Sequence, residues 1–319
     1  MEDEPDFLPP GPRAGAGETR TIDDWLQAEA GLAARLARVA GRLGALDERL
    51  RRGPEGWRHR VALIEAAELS WSVGDRVTPD RLALWIALRL SGAQEDTGAL
   101  ARAGWAVRRL TGGIGPEQSL SDFLGRHDPE TLDTDAERFA DRADGWRDLM
   151  AEAGALHSIS RACMGYHLWS LAGLGGHDDR MEAAVTAGRM AASEAKAAVF
   201  APLAMGGAGS LRAGGAPAER LARWLDGMEG AILTAMRHLD DIEAWAARAE
   251  TVMARLSGRT PKALRLVLTE WPLVSAPMAE TLTGASRAAV QRNLAWMEER
   301  GLIREVTGQG RFRMWRAAV

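Results

Sequence analysis

Cys163 and His167 stand four residues apart in a stretch with helical periodicity, with His157 before them and His177-Asp178-Asp179 after. Thiolate, imidazole and carboxylate are all zinc ligands, but this spacing matches no recognised ligand set. The expectation is a buried cysteine and helix-end histidines, with no metal site. His238 lies beside Asp240 and Asp241, of which only Asp241, three residues on, shares its helix face. An ordinary solvated face is expected there. Gly206-Gly207-Ala208-Gly209-Ser210, followed by Gly214-Gly215, lacks the Gly-Lys-Ser/Thr ending of a phosphate loop and reads as a surface loop. No serine, histidine and aspartate can be assembled into a nucleophilic triad from the sequence. No catalytic residue, metal or cofactor is assigned, and the chain is not expected to be an enzyme.

A different chemistry is available near the C-terminus. Val290, Leu294 and Met297 recur with helical period, and Ser286 precedes them as a cap. Arg287, Gln291 and Arg292 then fall on the opposite face, near the N-terminal end of that helix. An arginine can pair in two-pronged fashion with guanine and a glutamine with adenine, while Ser286 and its amide could hold a phosphate. Arg311 and Arg313 follow in a glycine-containing turn and the strand after it, where they could touch the adjacent backbone or minor groove. These six residues are the candidate double-stranded DNA contacts.

The elements needed to position them can be read from the same segment. Thr260-Pro261 caps a helix with Leu264, Val267 and Leu268 inward, and Ser275 with Pro277 opens a second over Met278–Leu282. Thr283-Gly284-Ala285 makes a tight turn into the helix over residues 286–300, which Gly301 stops. Leu302–Val306 and Phe312–Arg316 read as two strands joined by Thr307-Gly308-Gln309-Gly310-Arg311. Three helices and a hairpin form the order of a winged helix-turn-helix over residues 257–319. A winged helix used only for protein contact is the alternative reading of that fold.

The preceding chain reads as all-helical over residues 21–256, without a strand. Residues 1–20, with four prolines and three glycines, read as a flexible arm. Thr21 starts the order; Leu32, Leu36, Val39, Leu43, Leu46 and Leu50 then form a heptad seam for a helical hairpin or a dimer coiled coil. Thr78-Pro79-Asp80 opens a helix through Leu82, Trp85, Ile86 and Leu90, and another ends at Gly112-Gly113. The apolar run from Leu156 through Leu171 looks fully buried. Pro217 opens a long helix closed by Ser257-Gly258. Most tryptophans fit apolar faces and are expected in the core.

Charge separates the two parts. The 319 residues carry 40 basic and 44 acidic side chains, a net charge of -4. Residues 257–319 hold 10 basic and 5 acidic residues, leaving 30 and 39 for residues 1–256. Only Lys196 and Lys262 are lysines, so arginine is general to the composition and marks phosphate binding by position alone. A single cysteine excludes an internal disulfide. No apolar run approaches a membrane span, and the acidic start Met1-Glu2-Asp3-Glu4 lacks a secretory pattern. A soluble cytoplasmic protein without membrane contact is the expectation.

Two resemblances accompany these residues. Pro272–Ala276, Leu302–Arg311 through Trp315, and Arg161-Ala162 with Tyr166–Trp169 resemble a group of rhizobial, often plasmid-borne proteins. That group pairs a helical domain of unknown function with a C-terminal helix-turn-helix, and the resemblance implies DNA binding. The helix order is also similar to that of Fic proteins, which transfer AMP and often end in a winged helix. Their active loop runs His-Pro-Phe, two variable residues, then Gly-Asn-Gly-Arg. This chain has Leu171 through Arg180 there, so Arg180 would stand at the phosphate-binding arginine while the His-Pro-Phe base is missing. The resemblance therefore implies a Fic-like scaffold whose transferase chemistry is lost, an active transferase being the alternative.

Together these readings give a mainly α protein: a multi-helix N-terminal domain followed by a winged helix-turn-helix. The function expected is sequence-specific DNA binding in bacterial transcription regulation. A homodimer on paired half-sites is expected, with the helical domain free to hold a protein partner or effector.

Overall fold

The computed structural model describes residues 14–88, 96–126, 134–175, 179–308 and 312–319. Thirteen α-helices and three strands occur among them. In chain order they are α1 (Ala14–Gly31), α2 (Ala33–Arg52), α3 (Gly56–Ser72), α4 (Pro79–Leu88), α5 (Thr97–Thr111), α6 (Leu120–Leu124), α7 (Thr134–Glu152), α8 (Ser158–Leu168), α9 (Asp179–Ala191) and α10 (Pro217–Met253). The last segment holds α11 (Thr260–Glu270), β1 (Val274–Ser275), α12 (Ala276–Thr283), α13 (Arg287–Glu299), β2 (Ile303–Glu305) and β3 (Met314–Ala317). The chain is thus mainly α, with a C-terminal winged helix-turn-helix.

The 37-residue α10 is the axis of the fold. Proline at its start supplies the helical φ where no amide is needed, and Leu221, Leu225, Met228, Ile232, Leu239 and Ile242 are buried along one face. The heptad seam is used inside the chain: Leu36, Val39, Leu43, Leu46 and Leu50 are buried where α2 packs on α10. Arginines of α2 meet acids of α10 beside that seam, Arg35 with Asp226 at 3.4 Å, Arg42 with Glu229 at 2.6 Å and Arg49 with Glu243 at 2.8 Å. Both partners advance together, so the two helices run parallel.

Two carboxylates fasten the long connection between α9 and α10. Asp47 of α2 accepts from the amides of Lys196, Ala197 and Ala198 at 2.7–3.1 Å. Burial would raise its pKa, but these three hydrogen bonds prevail and hold it below its usual value. Glu65 of α3 is fully buried and accepts from Leu203, Ala204 and Met205; here burial wins and pushes its pKa up to about 7.

Several local expectations change. Residues 14–20, read from composition as part of the arm, continue α1, whereas residues 1–13 and Leu90 lie outside the described residues. Leu171, placed at the end of a buried run, is 81% exposed because α8 has already ended. The glycine-rich segment is not wholly a surface loop. Ser210 is buried and donates to the Leu203 carbonyl at 2.7 Å, and α10 approaches so closely that a Cβ on Gly227 would lie 2.6 Å from the Ser210 nitrogen. A strand also precedes the last twenty residues: β1 pairs Val274 with Trp315 and Ser275 with Met314. At two residues it is too short for alternation to betray it. The sheet order is β1-β3-β2, antiparallel throughout. No helix among the described residues is long and apolar enough to cross a membrane.

Candidate nucleic-acid interface

Local sequence fixes the geometry of the reading helix. The Ser275 hydroxyl accepts from the Met278 amide and caps α12, and Gly284 closes that helix in the left-handed conformation at φ 62°. The Ser286 hydroxyl accepts from the Ala289 amide at 3.4 Å and starts α13. Val290, Leu294 and Met297 are fully buried where α13 packs on α11, α12 and β2. Their burial sets the rotation of the helix and leaves Arg287, Gln291 and Arg292 exposed on the other side. Ala288 and Ala295 are exposed beside them. Residue chemistry does not draw attention to these alanines, although the register of the buried residues already places them on that face. Small side chains there let the helix axis approach a groove closely, and alanine can touch a thymine methyl.

Charge pairing sorts the basic residues of this domain by role. Arg304 and Arg316, opposite each other across β2 and β3, both reach Asp80 of α4, at 3.2 and 3.4 Å. Arg265 pairs with Glu250 at 3.4 Å. Arg313 is held by Glu298 at 3.0 Å and lies 5.0 Å over the Trp315 ring. Glu298 also accepts from the Trp315 indole at 3.2 Å, tying the end of α13 to β3. Arg313 is therefore part of the link between helix and wing. No ion pair involves Arg287 or Arg292 among the described residues, so two guanidinium groups on the reading helix face solvent uncompensated.

The turn of the wing is organised by Glu305. Burial would raise its pKa, but the Thr307 hydroxyl and the amides of Thr307 and Gly308 donate to it and hold it below the usual carboxylate range. Arg311 lies outside the described residues. Phe312, just after it, is 71% exposed and has φ 58°, a left-handed conformation uncommon for an aromatic residue.

The helical body holds this domain from the side away from α13. Arg60 of α3 donates to the carbonyls of Leu268, Thr269, Glu270 and Trp271 at the end of α11. Burial lowers its pKa to about 9. The Trp57 indole donates to Thr269 at 3.3 Å. On α10, the Trp245 indole donates to Leu302 at 2.6 Å and Arg248 to Ala318 at 2.7 Å. Because the docked surfaces are α11, the C-terminal end and the outer edge of the sheet, α13 is left presented to solvent. Asp80 and Arg60 carry no sequence signal for this role, since their partners lie about 200 residues away.

The residues considered for zinc have other positions. His157 caps α8, its Nδ1 accepting from the Ile159 amide at 3.1 Å. Cys163 is buried, and burial pushes its pKa up, which makes it a poor thiolate. His167 packs between Trp25 and Tyr166, while His177 and Asp178 lie outside the described residues. Among the described residues no group of three or more His, Cys, Asp or Glu is placed to hold a metal. His238 is exposed, and its neighbour Asp240 is paired with Arg49.

A fold of this kind, with a cationic helix facing outward, defines a helix-turn-helix DNA-binding domain. Residues 260–317 match the family model described as "HTH DNA binding domain". No curated protein matches the chain. These comparisons lend no support to the resemblance to the rhizobial group or to Fic proteins.

Proposed function

We propose that the protein is a sequence-specific transcription regulator that inserts α13 into the major groove of double-stranded DNA. The observation that carries this reading is the exposed trio Arg287, Gln291 and Arg292, unpaired among the described residues and opposite the buried Val290, Leu294 and Met297. Arg287 and Gln291 lie one helical turn apart and would address neighbouring base edges, with Arg292 beside them for a base or a phosphate. The amides of the first turn of α13 and the wing turn would hold the backbone on either side. Arg313 in this reading supports the wing through Glu298 and contacts phosphate only secondarily.

The protein acts as a non-enzymatic homodimer in the cytoplasm, two copies reading paired half-sites, and the helical body supplies the dimer, partner or effector surface. Support for a separate role of the body comes from its excess of acidic residues, which would repel DNA and leave binding to the basic domain. Chromatin precipitation of the tagged full chain, followed by sequencing, tests the reading. A shared motif with two-fold symmetry is the expected result. Recovery of no enriched sites, with capture of a protein through residues 257–319 instead, would assign the winged helix to protein contact.

A further inference from the structure

A cleft of about 400 Å³ lies between the C-terminal end of α3, α8, the start of α9 and the segment before α10, and Ser72, Tyr166, Arg180, Leu211 and Arg212 line it. Its cations differ from the arginines of the body that sit in ion pairs. Arg35, Arg42, Arg49, Arg102, Arg126 and Arg161 are each held by carboxylates. Arg180 and Arg212 are exposed, and no hydrogen bond or ion pair holds either among the described residues.

Positive charge accumulates behind the wall as well. Arg220 and Arg223 stand near His167, and burial together with their charge pushes that imidazole down to about 4. Neither arginine has a carboxylate partner among the described residues; Arg223 donates instead to the Gly214 carbonyl, next to the Ala213 wall. The Tyr166 hydroxyl donates to the Leu211 carbonyl at 2.9 Å, which fixes one wall against the other and keeps the cleft formed. An acidic protein thus has a hollow lined by two arginines, with no carboxylate among its described lining residues. The hollow is larger than a bare phosphate and lies in the range of small-molecule sites.

We propose that this cleft binds a small phosphate-bearing molecule, a phosphate ester or pyrophosphate, through Arg180 and Arg212, with Ser72 as a further hydroxyl contact. Guanidinium forks match phosphate oxygens in geometry and charge. The site is separate from the DNA-reading helix. Of the helices that flank the cleft, α3 also reaches the winged domain, through Arg60.

Isothermal titration of the full chain with pyrophosphate at low salt tests the assignment. Saturable 1:1 binding is expected, weakened roughly tenfold or more by Arg180→Ala with Arg212→Ala, since each guanidinium removed takes its charge-assisted hydrogen bonds with it. The double variant should retain the wild-type circular dichroism spectrum and melting temperature, both side chains being exposed. Arg287→Ala with Arg292→Ala should leave pyrophosphate affinity unchanged, which separates this site from the DNA face. Absence of binding, equal affinity in the Arg180/Arg212 variant, loss in the Arg287/Arg292 variant, or preference for succinate over pyrophosphate would each overturn the proposal.

Discussion

Replacing Arg287, Gln291 and Arg292 together by alanine isolates recognition from folding. All three side chains are exposed, and no hydrogen bond or ion pair holds any of them among the described residues. The core beneath, Val290, Leu294 and Met297, is untouched. Alanine exceeds both residue types in helix propensity by a few tenths of a kcal/mol. Arg287 also places a cation in the first turn, where the helix dipole opposes it by about 0.3–1 kcal/mol. The melting temperature should therefore hold or rise slightly. DNA binding should respond in the opposite direction. Each bidentate base contact is worth about 1–3 kcal/mol of discrimination, which corresponds to roughly 5- to 150-fold in Kd per contact. Any of the three that contacts phosphate instead should reduce the slope of log K against log salt by about 0.9. Fluorescence anisotropy on the duplex recovered from chromatin, run at two salt concentrations beside a scrambled duplex, separates these contributions. Specific binding at the wild-type ratio of target to scrambled affinity, in a variant with normal circular dichroism, would refute α13 as the reader.

Other consequences concern how the body shapes and holds that reader. Asp80→Ala should leave Arg304 and Arg316 as unrelieved like charges across β2 and β3; because all three are partly exposed, the cost is about 1 kcal/mol. Faster hydrogen exchange confined to the β2–β3 amides would report it, and unchanged exchange there would count against the contact. Gly227→Ala drives a Cβ onto the Ser210 backbone, and since backbone cannot swing aside, a loss of about 1–3 kcal/mol is expected in urea melts. Glu65 has its folded pKa raised from 4.5 to about 7, so the folded state binds its proton more tightly than the unfolded chain. Stability from this group is greatest below pH 4.5 and declines as pH rises to 7, by on the order of 3 kcal/mol. Comparison with Glu65→Gln at pH 5 and pH 8 checks it, the decline being absent in the variant. A wild-type stability that rises across that interval relative to the variant would reverse the sign and the argument.

Much of the reader was legible in the sequence because its signals are local. Ser275 and Ser286 cap the helices their positions announce, Gly284 and Gly301 take the left-handed turns expected of them, and Val290, Leu294 and Met297 fix which face of α13 is free. The long α10 and the buried seam of α2 follow from periodicity in the same way. Periodicity could not say what the seam meets, and its parallel packing on α10 inside one chain displaced both the hairpin and the coiled-coil readings. Composition hid the helical start at Ala14, and β1 was hidden by its two-residue length.

What tertiary structure alone decided is the use of each charge. In sequence Arg287, Arg304, Arg313 and Arg316 are equivalent cations of one basic segment. Folding gives Arg304 and Arg316 to Asp80, gives Arg313 to Glu298, and leaves Arg287 without an acid among the described residues. The physical reason is distance: an ion pair acts over a few ångströms, and those ångströms are set by packing, between residues 15 positions apart for Glu298 and more than 200 apart for Asp80. The sequence determined which helix turns which face outward, because capping and apolar period act within a few residues. Which of its cations remain available to a phosphate or a base was settled only when the body and the reader came together.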